Sequence, residues 1–210
     1  MSMQKILKSR QIDTLFHFTR IENLNSILTH GLYPRRNLEK SRLEYIFNDE
    51  VRLDGCENAI CASIEFPNYK MFYTLRQDNP GTDWVILNID ANAMIDFKSA
   101  FCKTNAANDT MSCIPLSEQQ GEEAFIKLFE EIPNWYTRKQ LEIPDYYPTD
   151  PQAEILIFNV IPIEYIHSVI FKDRTTYLKY QDQLPSNVRY EINKELFYGR
   201  QDYRFWQKSI

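Results

Sequence analysis

Glycine is scarce in this sequence, with five residues in 210. Neither a G-x-G-x-x-G nor a G-x-x-x-x-G-K-[ST] motif occurs. That excludes the Rossmann fingerprint and the P-loop, so a dinucleotide would have to be held another way. Histidine is limited to three residues. Cysteine is limited to four (Cys56, Cys61, Cys102 and Cys113), with no C-x-x-C pair. No metal site is expected from so thin a ligand set. There is no signal-peptide pattern and no long apolar run. A cytoplasmic protein with reduced cysteines and no membrane contact is therefore expected.

What is present is a globular composition. Hydrophobic residues make up 43% of the chain, too many for a disordered one. The length suits a single domain over residues 1–210. Aromatics reach 14%, with 13 Tyr and 13 Phe; such a load fills a core and leaves rings for stacking on a ligand or on bases. The net charge of −5 argues against a nucleic-acid partner, but its distribution does not. Residues 1–42 hold eight basic side chains, Arg35 and Arg36 among them, against three acidic ones, a local balance of +5. Such a patch attracts a phosphate chain, although a solvated helix face has the same composition.

Hydrophobic periodicity predicts mixed strands and helices. Leu15–Thr19 alternates as a strand. Thr19 and Glu22 read as a capping box opening a helix whose stripe is Ile21, Leu24, Ile27 and Leu28, with Gly31 as its stop. Residues 34–55 read as loop with some helix, and Asn58–Phe66 as a strand. Pro67 opens a helix running to Leu75, and Trp84–Ile89 is a buried strand. Glu118–Glu131 reads as an acidic amphipathic helix, and Ile132–Pro151 as a long irregular loop carrying Tyr136, Tyr146 and Tyr147. Ala153–Val160 and His167–Lys172 read as further strands.

Four places along this outline carry chemistry. Glu154 stands at the mouth of an apolar strand beside the Pro/Tyr loop, and strand period two puts Gln152 on its side. A carboxylate there suits an active-site edge; a strand-end Glu facing water has the same pattern. His17 and Thr19 share one side of the first strand and suit a ligand across its end, or a half-buried His and a cap. Arg52, ahead of Asp54-Gly55, offers a planar charge that grips phosphate, or an ordinary turn. Met71, Phe72 and Tyr73 suit packing on a flat ring, or plain core.

These segments together resemble the DarT family of DNA ADP-ribosyltransferase toxins. The resemblance lies in His17-x-Thr19 with Asn23, Ser26 and Gly31-Leu32, then Arg52-Leu53-Asp54-Gly55, then Pro67-Asn68 with Met71-Phe72-Tyr73, then Gln152-Ala153-Glu154. It spans about residues 15 to 158. The resemblance implies an α+β, ADP-ribosyltransferase-like fold: a split mixed β-core with flanking helices and an NAD cleft. It implies NAD as substrate and Glu154 as the catalytic glutamate, with Arg52 on the phosphates or assisting the acceptor. His17, Phe18, Thr19, Asn23, Ser26, Leu32, Met71 and Tyr73 would contact NAD. Tyr136, Tyr146, Tyr147 and Gln152, with Arg35 and Arg36, would meet single-stranded nucleic acid. DNA is favoured over RNA as the acceptor. The same fold also serves protein-directed transfer, NAD hydrolysis or non-catalytic binding. A toxin of this kind further implies a neutralising partner, a macrodomain antitoxin or another.

Overall fold

A computed structural model describes residues 2–41, 43, 45, 46 and 58–207. Seven strands form one sheet: β1 (Thr14–Arg20), β2 (Ile60–Ile64), β3 (Trp84–Asp90), β4 (Ser99–Cys102), β5 (Glu154–Ile157), β6 (Ile166–Phe171) and β7 (Tyr190–Ile192). Their spatial order is β4-β5-β2-β1-β3-β6-β7. Every described pairing is antiparallel except β6 with β7, so the sheet is mixed.

Period-two alternation sorts side chains onto two faces. On β3, Val85, Leu87 and Ile89 enter the main core, where α1 (Met3–Arg10) and α2 (Leu24–His30) pack. Trp84 and Ile86 enter a second core on the opposite face. There they meet Phe72 of α4 (Tyr69–Asp78), numbered after α3 (Arg35–Ser41). Strands buried on both faces read as continuous apolar runs, which is why Trp84–Ile89 is so legible in sequence.

The sheet is split at its centre. β1 and β2 share two register pairs, Leu15 with Ile64 and Phe16 with Ser63. Beyond them β1 continues to Arg20 against β3, while the start of β2 pairs with β5. The gap between the diverging strand ends is where a ligand can enter without breaking a ladder.

Several expectations shift. The Thr19 capping box does not form: the ladder with β3 carries β1 through Arg20, and Ile21 N–H continues it to the Asp83 carbonyl at 2.9 Å. A 3-10 turn, Ile21–Asn23, then leads into α2, with no side-chain cap on either. The sheet bonds outcompete the local cap. The apolar stripe and the stop at Gly31 (φ 92°) hold; a Cβ at Gly31 would sit 2.7 Å from the Ile161 carbonyl oxygen. The predicted 118–131 helix is two pieces, a 3-10 turn Leu116–Gln119 and a helix Gly121–Lys127. Gln119 breaks the period: its buried amide donates to the Met111 and Ile114 carbonyls and accepts from Cys102. Gly121 takes the left-handed φ of 80° that restarts the chain. The 132–151 loop contains a helical turn, Arg138–Leu141, with a capping box from Thr137 and Gln140.

Candidate active site

The main cleft opens where β1 and β2 part, and Glu154 lies in its wall. Glu154 is the first residue of β5 and only 5% exposed, so it does not face water. One carboxylate oxygen, Oε2, accepts the Ala106 N–H at 2.9 Å. The other, Oε1, accepts the Asn68 side-chain amide at 3.3 Å. A buried carboxylate needs such donors, and two from different segments fix its orientation.

Asn68 holds this arrangement from the α4 side. The chain leaves β2 through Glu65, whose φ of 56° is left-handed and whose carboxylate accepts the Asp13 and Thr14 N–H groups. Two residues after the resulting turn, Asn68 N–H donates to Ser63 Oγ at 3.1 Å. Its Oδ1 caps α4 by accepting Met71 N–H at 3.2 Å. One buried amide therefore starts a helix with its oxygen and holds Glu154 with its nitrogen. The expected helix start at Pro67 moves to Tyr69 for this reason.

The opposite wall comes from β1 and α2. The His17 Nδ1 lies 2.7 Å from the Cys61 carbonyl oxygen. A carbonyl only accepts, so Nδ1 carries the hydrogen and the neutral ring has Nε2 as its acceptor. This bond also bridges β1 and β2 beyond their last ladder pair. Phe18 lines the cleft with its ring stacked on Phe72, centroids 4.5 Å apart. Asn23 is buried and clamps residue 46 at both ends: Oδ1 accepts Ile46 N–H and Nδ2 donates to Ile46 O, each at 2.7 Å. The same Nδ2 reaches Thr19 Oγ1 at 3.1 Å. Asn23 thus draws Tyr45 and Ile46 onto the cleft.

Of the residues expected at the site, nine line this cleft: His17, Phe18, Thr19, Asn23, Ser26, Leu32, Arg35, Met71 and Glu154. Arg52 lies outside the described residues. Others lie elsewhere. Tyr73 points off α4 into solvent, 58% exposed, because it sits about 200° round the helix from Met71. Arg36 is exposed and not part of the wall. Gln152 does not share a strand face with Glu154; it lies in the turn before β5, its N–H bonded to Asp150. Tyr136 packs on Phe205, Tyr146 against the main core, and Tyr147 edge-on to Phe66 beneath Arg200. Burial pushes the Tyr147 phenol up to about 12.

Sequence reasoning missed the groups that hold Glu154. Asn68 carried a signal, an Asn directly before a helical pattern. Ala106 carried none, because it acts through its main chain. Also missed was the clasp on the loop ahead of β5. Buried Arg200 pairs with buried Asp202 through Nε and Nη2, each at 2.7 Å, and donates to the Pro148 and Thr149 carbonyls. Trp206 Nε1 completes the set by donating to Asp202. No group of His, Cys, Asp and Glu suited to a metal occurs among the described residues, and no described helix is long and apolar enough to cross a membrane.

The geometry agrees with comparison to known proteins. No curated protein sequence matches the chain. The structure resembles Thermosipho africanus DarTG in complex with ADP-ribose, with TM-score 0.61, 15% identity, 88% of this chain and 50% of that chain covered. This chain thus spans half the length of that relative. It also resembles Thermus sp. 2.9 DarT in complex with NAD+, with TM-score 0.55, 17% identity, and 88% and 97% of the two chains covered. The same Thermus protein in complex with ADP-ribosylated ssDNA gives TM-score 0.54 and 16% identity, covering 88% and 96%. These likenesses establish the seven-stranded mixed sheet with its flanking helices as the DarT fold. The family model described as ssDNA thymidine ADP-ribosyltransferase, DarT, matches residues 16–198, and the chain belongs to that family.

Proposed function

We propose that this protein transfers ADP-ribose from NAD to the thymine base of single-stranded DNA, with Glu154 as the catalytic carboxylate. The observation that carries the reading is the Glu154 carboxylate, buried in the wall of the cleft and held by Asn68 and the Ala106 N–H.

The bond to be broken joins the ribose C1′ to the nicotinamide nitrogen. Its electron pair leaves with nicotinamide, and positive charge spreads over C1′ and the ring oxygen, as in glycoside cleavage. A fixed carboxylate beside that charge stabilises it without reorganising at the moment of reaction. In thymidine one ring nitrogen bears the sugar, so the other, an N–H, is the ring nitrogen left to attack C1′. It forms the new bond as its proton passes to water. That N–H is occupied in a duplex, which favours single strands. His17 and Thr19 would orient the NAD ribose and nicotinamide, with Asn23 holding Thr19 and residue 46 in place and Phe18 and Met71 as apolar walls. Arg52 is assigned to the phosphates, since its charge persists at any physiological pH. The loop 132–151 would face the acceptor strand. A host carrying this activity needs it restrained, so a neutralising partner belongs to the proposal.

The test is transfer from labelled NAD to matched single-stranded DNA, single-stranded RNA and protein extract. Label on DNA that disappears with Glu154→Ala is the expected result. Label on RNA or protein alone overturns the acceptor, and full transfer by Glu154→Gln overturns the residue.

A further inference from the structure

The most exposed large hydrophobic side chains among the described residues are Tyr73 at 58% and Tyr198 at 55%. One is on α4 and the other near the C-terminal end, yet both flank the same guanidinium. Arg76 of α4 donates to the Phe197 carbonyl at 2.6 Å and lies 4.7 Å from the Phe72 ring centroid. Tyr73 stands three residues before Arg76 on α4, on the neighbouring turn, and Tyr198 directly follows the residue whose carbonyl Arg76 binds. Neither tyrosine ring packs on another aromatic ring among the described residues. Two exposed rings, neither packed on another described ring, thus stand near one fixed cation.

In helical order Met71 lines the cleft, half-buried Lys70 comes next round α4, and exposed Tyr73 follows on the far flank. The path round the helix is about half its circumference, roughly 15–20 Å, which a few nucleotides span. A single strand offers alternating phosphates and flat bases. Cations track the first and rings stack on the second, without regard to sequence.

We infer that Tyr73 and Tyr198, around Arg76, form a stacking platform for the single-stranded DNA flanking the acceptor base, reached from the cleft across Lys70. The inference rests on the proposed DNA acceptor, but it can be read separately from it.

The experiment measures binding directly, by fluorescence anisotropy of labelled single-stranded DNA, alongside transfer. One oligonucleotide ends just beyond its thymine; others are extended to either side. The double variant Tyr73→Ala/Tyr198→Ala is expected to bind an extended strand about tenfold more weakly. The short strand and NAD should bind as to the unaltered protein. Tyr73→Phe/Tyr198→Phe should restore the extended-strand affinity, because stacking needs the ring and not the hydroxyl. Equal affinity of the alanine variant for extended strands overturns the platform, as does an equal loss on short and extended strands. If the platform variants weaken binding but no DNA is labelled, the platform stands and the acceptor falls. If DNA is labelled and the variants change nothing, the reverse holds.

Discussion

At the residue scale, Asn68 decides more than its position on the chain suggests. Asn68→Ala removes both the α4 cap and the donor to Glu154. Cap loss costs about 1 kcal/mol. Asn68→Asp keeps an acceptor for the cap but sets a carboxylate against Glu154. The expected outcome is that Asn68→Asp, although it keeps the cap, is less stable than Asn68→Ala near neutral pH, where two facing carboxylates cannot both ionise without cost, and transfers ADP-ribose at least about tenfold more slowly than the unaltered enzyme, since a misdirected catalytic charge loses part of its effect. Melting curves and single-turnover rates check both halves. If Asn68→Asp is fully active, Asn68 serves the helix alone.

A second residue carries a pH signature. Burial raises the Asp150 carboxyl above its ordinary range, with the Gln152 N–H and Thr104 opposing the shift. A carboxyl raised on folding costs stability once pH passes its unfolded value, and costs nothing where both states are protonated. Asp150→Asn should therefore raise the melting temperature near neutral pH, with the gain shrinking as the pH falls toward about 4. A gain unchanged by acidification would show that charge is not the cause.

At the element scale, the chain shows which local signals survive tertiary structure. The period-two pattern of β3 and the apolar stripe of α2 persist because the buried faces enforce them. The Thr19–Glu22 capping box fails because the β1–β3 ladder claims Thr19 first and leaves Glu22 in the 3-10 turn that follows. The acidic helix divides because a single Gln119 amide ties its first turn to Met111, Ile114 and Cys102. None of these three-way contacts leaves a trace in local sequence. Glu154 was legible as a charge at a strand mouth, while the main-chain donor from Ala106 was not. The exposed Tyr73 shows the limit of reading a motif as a block: its neighbours Phe72 and Met71 face the core and the cleft, and helical geometry turns it outward.

The loop before β5 is an element held by charges. Arg200→Met alone would leave Asp202 buried without its cation, at a cost of about 3–5 kcal/mol. Arg200→Met/Asp202→Leu removes both charges and should cost less than the single change, though Trp206 and two carbonyls lose a partner. Chemical denaturation of the two variants is the check; a double variant less stable than the single one would place the clasp's worth in its hydrogen bonds.

At the scale of the whole molecule, the charge balance sets how DNA is met. The protein is acidic in sum, and its basic excess is concentrated in residues 1–42. Of that excess, Arg35 lies in the cleft wall and Arg36 is exposed one residue beyond it. A long positively charged track would give steep salt dependence, near −0.7 per neutralised phosphate for single strands. Among the described residues Arg35 is the one Lys or Arg side chain in the cleft lining, with Arg36 beside it, so the logarithmic slope of DNA affinity against salt should be shallow, about −1 to −2. Stacking, which salt screens little, must then supply much of the affinity. Arg36→Gln is the sharper probe, because it touches neither the cleft nor a described ring. It should lower affinity modestly and reduce the slope by about 0.7, leaving NAD binding unchanged. A slope as steep as that of a strongly basic binder would mean that the acidic body contributes an attractive surface that its overall charge conceals. An unchanged slope would remove Arg36 from the DNA path and leave Arg35, inside the cleft, as the cation that meets the incoming strand.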